Sequence, residues 1–183
     1  MAMRVTDELL NGVLLIEIDR YRDERGYFEE LYHADELRGL GIHTPFVQDN
    51  HSRSTAGVVR GLHYQHTEPQ GKLLTVLQGA IQLVELDLRA GSATFGRHVS
   101  VMLSDERPQL VWIPPGFANG FCCVSDVADV LYKCTSYYNA SGEGSIDPLD
   151  PDLGITWDTS APILSTKDRT ASSWTSYTER PTF

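Results

Sequence analysis

Apolar and polar residues alternate in short runs along most of this chain, with the period of strands rather than helices. Residues 12–18 open with an apolar run and end in alternation, and residues 27–32 alternate around aromatic side chains. Residues 73–77, 80–88, 98–103, 109–113, 120–124 and 129–137 are rich in Val, Ile, Leu, Phe and Tyr, the residues that suit a pleated, half-buried surface. Turn signals separate them at Gln78-Gly79, Arg89-Ala90-Gly91-Ser92, Pro114-Pro115-Gly116 and Ser125-Asp126, with a longer one across residues 104–108. Many short strands at regular spacing predict an all-β sandwich or barrel. Only residues 34–40 carry a helical pattern, with a short turn expected near residues 151–153.

Composition narrows the picture. The 183 residues predict one domain with a substantial core, and the 41% apolar content argues against disorder. No apolar run approaches the roughly 20 residues of a membrane span, and the N-terminus lacks the apolar core of a signal peptide. A net charge of −10 argues against general nucleic-acid binding, so any anion site must be a local basic pocket. The three cysteines, Cys122, Cys123 and Cys134, are odd in number and two are adjacent, a poor disulfide framework. Cys122 and Cys123 are expected to be small core side chains, and a reducing cytoplasmic location fits the set.

The chemistry concentrates in Arg60-Gly61-Leu62-His63-Tyr64-Gln65, in an apparent strand, with Lys72 shortly after it. An imidazole can take a proton near neutral pH, and guanidinium and ammonium groups can hold a phosphate or an enolate oxygen. Together they suit proton abstraction beside a carbonyl. Positions 60 and 63 differ by an odd number, so a flat strand would point their side chains to opposite faces. If both line one pocket, Gly61 must permit a bulge or twist.

Seven strings in register give these residues a context. They are residues 23–30 (DERGYFEE), 46–54 (FVQDNHSRS), 57–65 (GVVRGLHYQ), 70–73 (QGKL), 112–121 (WIPPGFANGF), 131–133 (LYK) and 164–168 (LSTKD). In order and spacing they resemble the dTDP-4-dehydrorhamnose 3,5-epimerase family of nucleotide-sugar epimerases. The resemblance runs over a core of about residues 4–170 and leaves residues 171–183 as a Ser- and Thr-rich tail expected to pack loosely. It implies a cupin-type jelly-roll β-sandwich with a few short helices, usually a homodimer, acting without metal or other cofactor. The substrate it implies is a dTDP-linked 4-keto-6-deoxyhexose.

By this resemblance His63 is the base and Asp168 its partner, Tyr132 returns the proton from the opposite face, and Lys72 meets the developing charge at O4 with Arg60 nearby. Arg25, Glu30, Gln48, Asn50, Glu143 and Lys167 match substrate-contacting positions, with Arg25 and Lys167 as diphosphate partners and Phe28 or Tyr138 stacking on the base. One position departs. The family's usual string carries a histidine where this chain has Asn119, and an amide cannot exchange a proton at neutral pH. That favours inversion at C3 alone over inversion at C3 and C5, as does the segment 146–151, which lacks a tryptophan many members carry near Pro148. Asn119 also removes the second histidine motif of metal-binding cupins, and His63 and His66 would face opposite ways on a regular strand. A metal-dependent oxygenase or a non-catalytic sugar-nucleotide binder is therefore disfavoured.

Overall fold

The computed structural model describes residues 2–183, and nearly all of their regular structure is antiparallel strand. One sheet of six strands has the order β1 (Met3–Leu9), β2 (Val13–Ile18), β10 (Gln109–Ile113), β7 (Lys72–Gln78), β12 (Val127–Cys134) and β5 (Gln48–Thr55). A second sheet of five has the order β13 (Glu143–Ser145), β6 (Val59–Gln65), β11 (Phe117–Cys123), β8 (Ala80–Asp87) and β9 (His98–Ser104). A separate hairpin pairs β3 (Arg20–Asp23) with β4 (Gly26–Glu29). The result is the cupin-type jelly-roll sandwich that the strand count and the resemblance led us to expect. Among the described residues, no helix is long and apolar enough to cross a membrane.

Alternation along the strands builds three apolar layers. Leu74 and Val76 of β7, Ile81 and Leu83 of β8, Phe121 and Cys123 of β11 and Ala128 and Val130 of β12 face inward and fill the space between the sheets. The opposite row of β8, Val84 and Leu86, joins Val59, Leu62, Trp157 and Tyr177 on the outside of the smaller sheet. Because both of its faces are covered, β8 is buried over almost its whole length. Outside the larger sheet, Ile16, Ile18, Leu73, Leu110 and Trp112 receive Leu37 of helix α1 (Ala34–Gly39). The three thiols belong to these layers: Cys123 lies between the sheets, Cys122 in the outer cluster, and Cys134 at the end of β12, all free and buried.

The expected elements are present, with three differences. The aromatic segment at residues 27–32 keeps strand geometry only to Glu29, because its sole partner is the four-residue β3. The segment at 129–137 starts earlier and ends at Cys134, where the chain leaves the sheet. The stretch 171–183 is not loosely packed. Ser173 caps α3 (Trp174–Glu179), and Trp174 stacks on Tyr177 with ring centroids 5.6 Å apart. The Tyr177 hydroxyl donates to the Leu88 carbonyl at 2.9 Å, and the Ala90 amide donates to the Phe183 carbonyl. Burying an aromatic side chain of this kind contributes ~1.5–3 kcal/mol, enough to hold a Ser- and Thr-rich segment in place.

Candidate active site

The inward rows that form the core change character at one end of the sandwich. Continuing from Leu74 along β7 leads to Lys72, from Val130 along β12 to Tyr132, from Leu83 along β8 to Glu85, and from Phe121 along β11 to Asn119. Between them lies a cavity of about 300 Å³ lined by Gln48, Asn50, His63, Lys72, Tyr132 and Glu143, among others. A deeper lobe of about 140 Å³ shares His63, Lys72 and Tyr132 and adds Arg60, Asn119 and Phe121.

Gly61 brings Arg60 and His63 into the same lobe. Opposite β6, Asn119 pairs with His63 and Phe121 with Arg60, so three steps on β6 face two on β11. The extra residue is a bulge, and Gly61 absorbs it at φ +123°, where a side chain would be strained. A Cβ there would also meet Gly120 Cα at 2.6 Å and the Asn119 carbonyl at 2.7 Å. Both strands therefore need glycine at this crossing. The Arg60 guanidinium is held by Ser54 Oγ at 3.0 Å and the Arg53 carbonyl at 3.1 Å.

His63 Nε2 lies 2.6 Å from Asp168 Oδ1, although 105 residues separate them in the chain. Asp168 stands on the four-residue helix α2 (Thr166–Arg169), and Ser165 caps that helix by accepting from the Asp168 amide. The Ser165 hydroxyl also donates to Asp168 Oδ2 at 2.8 Å, which fixes the carboxylate in the orientation that meets the ring. The segment is pinned on both sides, by a bridge between Ile163 and Val58 and another between Ser172 and Ile146. With the Nε2 proton donated to Asp168, Nδ1 carries the free lone pair. Burial lowers the His63 pKa, outweighing the pull of Asp168 in the other direction, and Lys72 and Lys167 lower it further. The ring is therefore a neutral base at neutral pH.

Tyr132 enters from the opposite sheet, and burial raises its pKa, so the phenol keeps its proton. The Lys72 ammonium lies 5.8 Å from the centroid of the Tyr132 ring. Neutral base, protonated phenol and lysine thus surround one space, a set suited to removing a proton from one face of a carbon and returning one to the other.

At the mouth, Lys167 forms an ion pair with Glu143, and the Tyr138 hydroxyl donates to the same carboxylate at 2.9 Å. Burial opposes the Glu143 charge, but these two partners outweigh it and hold the carboxyl below its ordinary range. Gln48 Oε1 accepts from the Tyr138 amide, and Gln48 Nε2 donates to Asn50 Oδ1. Tyr138 itself is 57% exposed beside the cavity.

Of the residues expected from the sequence, His63, Asp168, Tyr132, Lys72, Arg60, Gln48, Asn50, Asn119, Tyr138, Glu143 and Lys167 come together here. Arg25 and Phe28 do not. They lie on the β3–β4 hairpin around a separate surface hollow, with Phe28 62% exposed and Arg25 paired to Asp23. Glu30, just beyond β4, is half-buried and outside the cavity lining. Three contributors were given no role from the sequence. Gln65 and Gln70 line the cavity and brace the following loop through the Tyr137 and Ser136 carbonyls. Glu85 lies behind Asn119, 1% exposed, in a largely apolar strand that also carries Gln82 and Asp87.

The comparisons with known proteins agree with this geometry. Residues 7–176 match the family model described as dTDP-4-dehydrorhamnose 3,5-epimerase. The dTDP-4-dehydrorhamnose 3,5-epimerase of Salmonella typhimurium is 45% identical, over 92% of this chain and 94% of the relative. Among solved structures, the dTDP-6-deoxy-D-glucose-3,5-epimerase of Legionella pneumophila, in complex with dTDP-4-keto-L-rhamnose, is 47% identical. It superposes with a TM-score of 0.90 over 93% of this chain and 92% of that one. A 3'-monoepimerase from Streptomyces bikiniensis, in complex with dTDP-quinovose, is 33% identical with a TM-score of 0.88, covering 93% and 87% of the two chains.

Proposed function

Because the chain belongs to the dTDP-4-dehydrorhamnose 3,5-epimerase family, we propose that it epimerises dTDP-4-dehydro-6-deoxy-D-glucose, a step in deoxysugar biosynthesis carried out in the cytoplasm. The hydrogens at C3 and C5 of that sugar are acidic because the C4 ketone accepts the charge as an enolate. His63 Nδ1 takes a proton from one face while Asp168 holds the ring and shares the charge it gains. The enolate oxygen develops beside Lys72, whose ammonium stabilises it. Tyr132 then returns a proton from the other face, leaving the centre inverted. The observation that carries this reading is that His63 and Tyr132 enter one cavity from opposite sheets.

The nucleotide lies toward the mouth in this reading, where Lys167 exchanges Glu143 for a diphosphate oxygen and Tyr138 stacks on the base. Arg25, Phe28 and Glu30 reach the same ligand only if a second copy brings its β3–β4 hairpin across. The reading therefore includes a homodimer. Asn119 favours inversion at C3 alone, since its amide donates to Glu85 and cannot move a proton.

Incubating the protein with dTDP-4-dehydro-6-deoxy-D-glucose in D₂O, followed by NMR, tests all of this. Deuterium at C3 alone is the expected result. Deuterium at both C3 and C5 replaces it with the double epimerase, and no exchange at either centre refutes the epimerase reading. Tyr132→Phe is expected to retain dTDP binding and lose turnover by about 10²-fold or more.

A further inference from the structure

Beyond Cys134 the chain leaves the sheet and passes the mouth of the cavity at Tyr138 without strand or helix. Backbone groups in such a segment still need partners. Four consecutive residues find them in glutamine side chains. The Ser136 carbonyl accepts from Gln70 Nε2 at 2.8 Å, and the Tyr137 carbonyl from Gln65 Nε2 at 3.1 Å. The Tyr138 amide donates to Gln48 Oε1 at 2.9 Å, and the Asn139 amide to Gln65 Oε1 at 2.8 Å. Gln48 opens β5 of the larger sheet and Gln65 ends β6 of the smaller, so the segment is clasped to both.

Gln65 is the centre of this clasp. It is buried, and its second N–H donates to the Glu68 carbonyl at 2.7 Å, an oxygen that also accepts from the Ser136 hydroxyl. Glu68 stands at φ +52°, an uncommon conformation for a residue with a side chain, so these bonds hold a turn that the backbone alone disfavours. Both N–H groups of the Gln65 carboxamide and its oxygen are thus in use. Although Gln65 lines the cavity, it has no donor left for a ligand, and none of its side-chain bonds reaches His63 or Asp168. We propose that Gln65 is a positioning residue for the nucleotide, fixing residues 136–139 so that Tyr138 stands ready for the base. The proposal deepens the reading in which Tyr138 stacks on that base, and rests on it.

The exposure of Tyr138 is what makes the clasp matter. A ring 57% exposed has little packing to hold it, so its place is set by its hydroxyl bond to Glu143 and by the backbone that carries it. Without the clasp that backbone must be ordered when the nucleotide arrives, and the ordering cost is taken from affinity. The chemistry at His63, Lys72 and Tyr132 is built on strands and on α2, not on this segment. Gln65 therefore acts on binding rather than on turnover.

Calorimetric titration with dTDP tests this without requiring turnover. Gln65→Leu keeps the volume and removes all three bonds, and it should weaken dTDP binding about tenfold or more. KM for the sugar nucleotide should rise to match, while kcat at saturation stays within about threefold and its acid limb does not move. Because Gln65 acts through Tyr138, adding Gln65→Leu to Tyr138→Ala should cost little beyond Tyr138→Ala alone. Wild-type affinity in folded Gln65→Leu overturns the proposal, as do losses that multiply in the double variant or a fall in kcat with KM unchanged. Hydrogen exchange on the wild type needs no variant: the Asn139 amide should be protected, and exchange at the rate of an open chain overturns the proposal. A wild type that does not bind dTDP refutes the nucleotide reading itself, and Tyr138→Ala binding as wild type removes the stacking role and the proposal with it.

Discussion

The two ends of the space between the sheets are built by the same strands and the same inward rows, yet they do different work. At one end Val76, Ile81, Leu83, Val111 and Val130 are buried together in one apolar cluster. At the other end those rows continue as Lys72, Asn119 and Tyr132 around a cavity, with Glu85 behind Asn119. A β-sandwich fixes side-chain direction by parity alone, so the apolar end orients the polar end simply by holding the strands in register. Stability and chemistry are therefore separable along each strand, at a distance of only two or three residues.

Substitutions at the two ends should break in opposite ways. His63→Ala is expected to lose about 10²–10⁴-fold in turnover while dTDP binding and the melting midpoint stay close to wild type. Retention of full turnover would remove His63 from its assigned role. Leu83→Ala, at the apolar end, should cost about 2–5 kcal/mol in a denaturant titration and leave the kcat of the folded fraction nearly unchanged. A large loss of kcat there would show that the two ends are not separable. The smallest effect belongs to Ser165→Ala, which removes both the cap of α2 and a hydrogen bond to Asp168. We expect about 1 kcal/mol of stability and a several-fold fall in kcat with KM little altered. A change confined to KM would separate Ser165 from the orientation of Asp168.

The difference between the ends also explains what could be read in advance. Strands such as β8 and β10 were plain from their concentration of Val, Ile and Leu. The six-stranded sheet's edge strand β5 was not, because its inward residues Gln48, Asn50 and Ser52 are polar. Its alternation is real, with exposed Asp49, His51 and Arg53 between half-buried neighbours, but hydropathy cannot see it. The residues that line a polar cavity lack the contrast on which pattern reading depends. His63, Tyr132 and Asp168 were found through their strings, while their meeting across 105 positions depends on a fold that no local pattern encodes. Glu85 escaped because it sits in an almost continuous buried run, where a carboxylate looks like an interruption. The C-terminal stretch misled through composition: its many Ser and Thr residues hide Trp174, Tyr177 and Phe183, which pack on Tyr64 and one another.

The three buried thiols make the folded protein its own reporter. Burial raises the pKa of Cys122 to about 11 and also raises those of Cys123 and Cys134, so reactive thiolate is scarce in the closed state. Alkylation must wait for the structure to open, and each cysteine reports a different opening. Cys123 senses the layer between the sheets, Cys122 the layer beneath the C-terminal segment, and Cys134 the strand end where Asn50 approaches its sulfur at 3.5 Å. Peptide-resolved labelling over time would thus rank the local stability of core, outer layer and site floor in the unmodified chain. Adding the nucleotide should slow the Cys134 clock most.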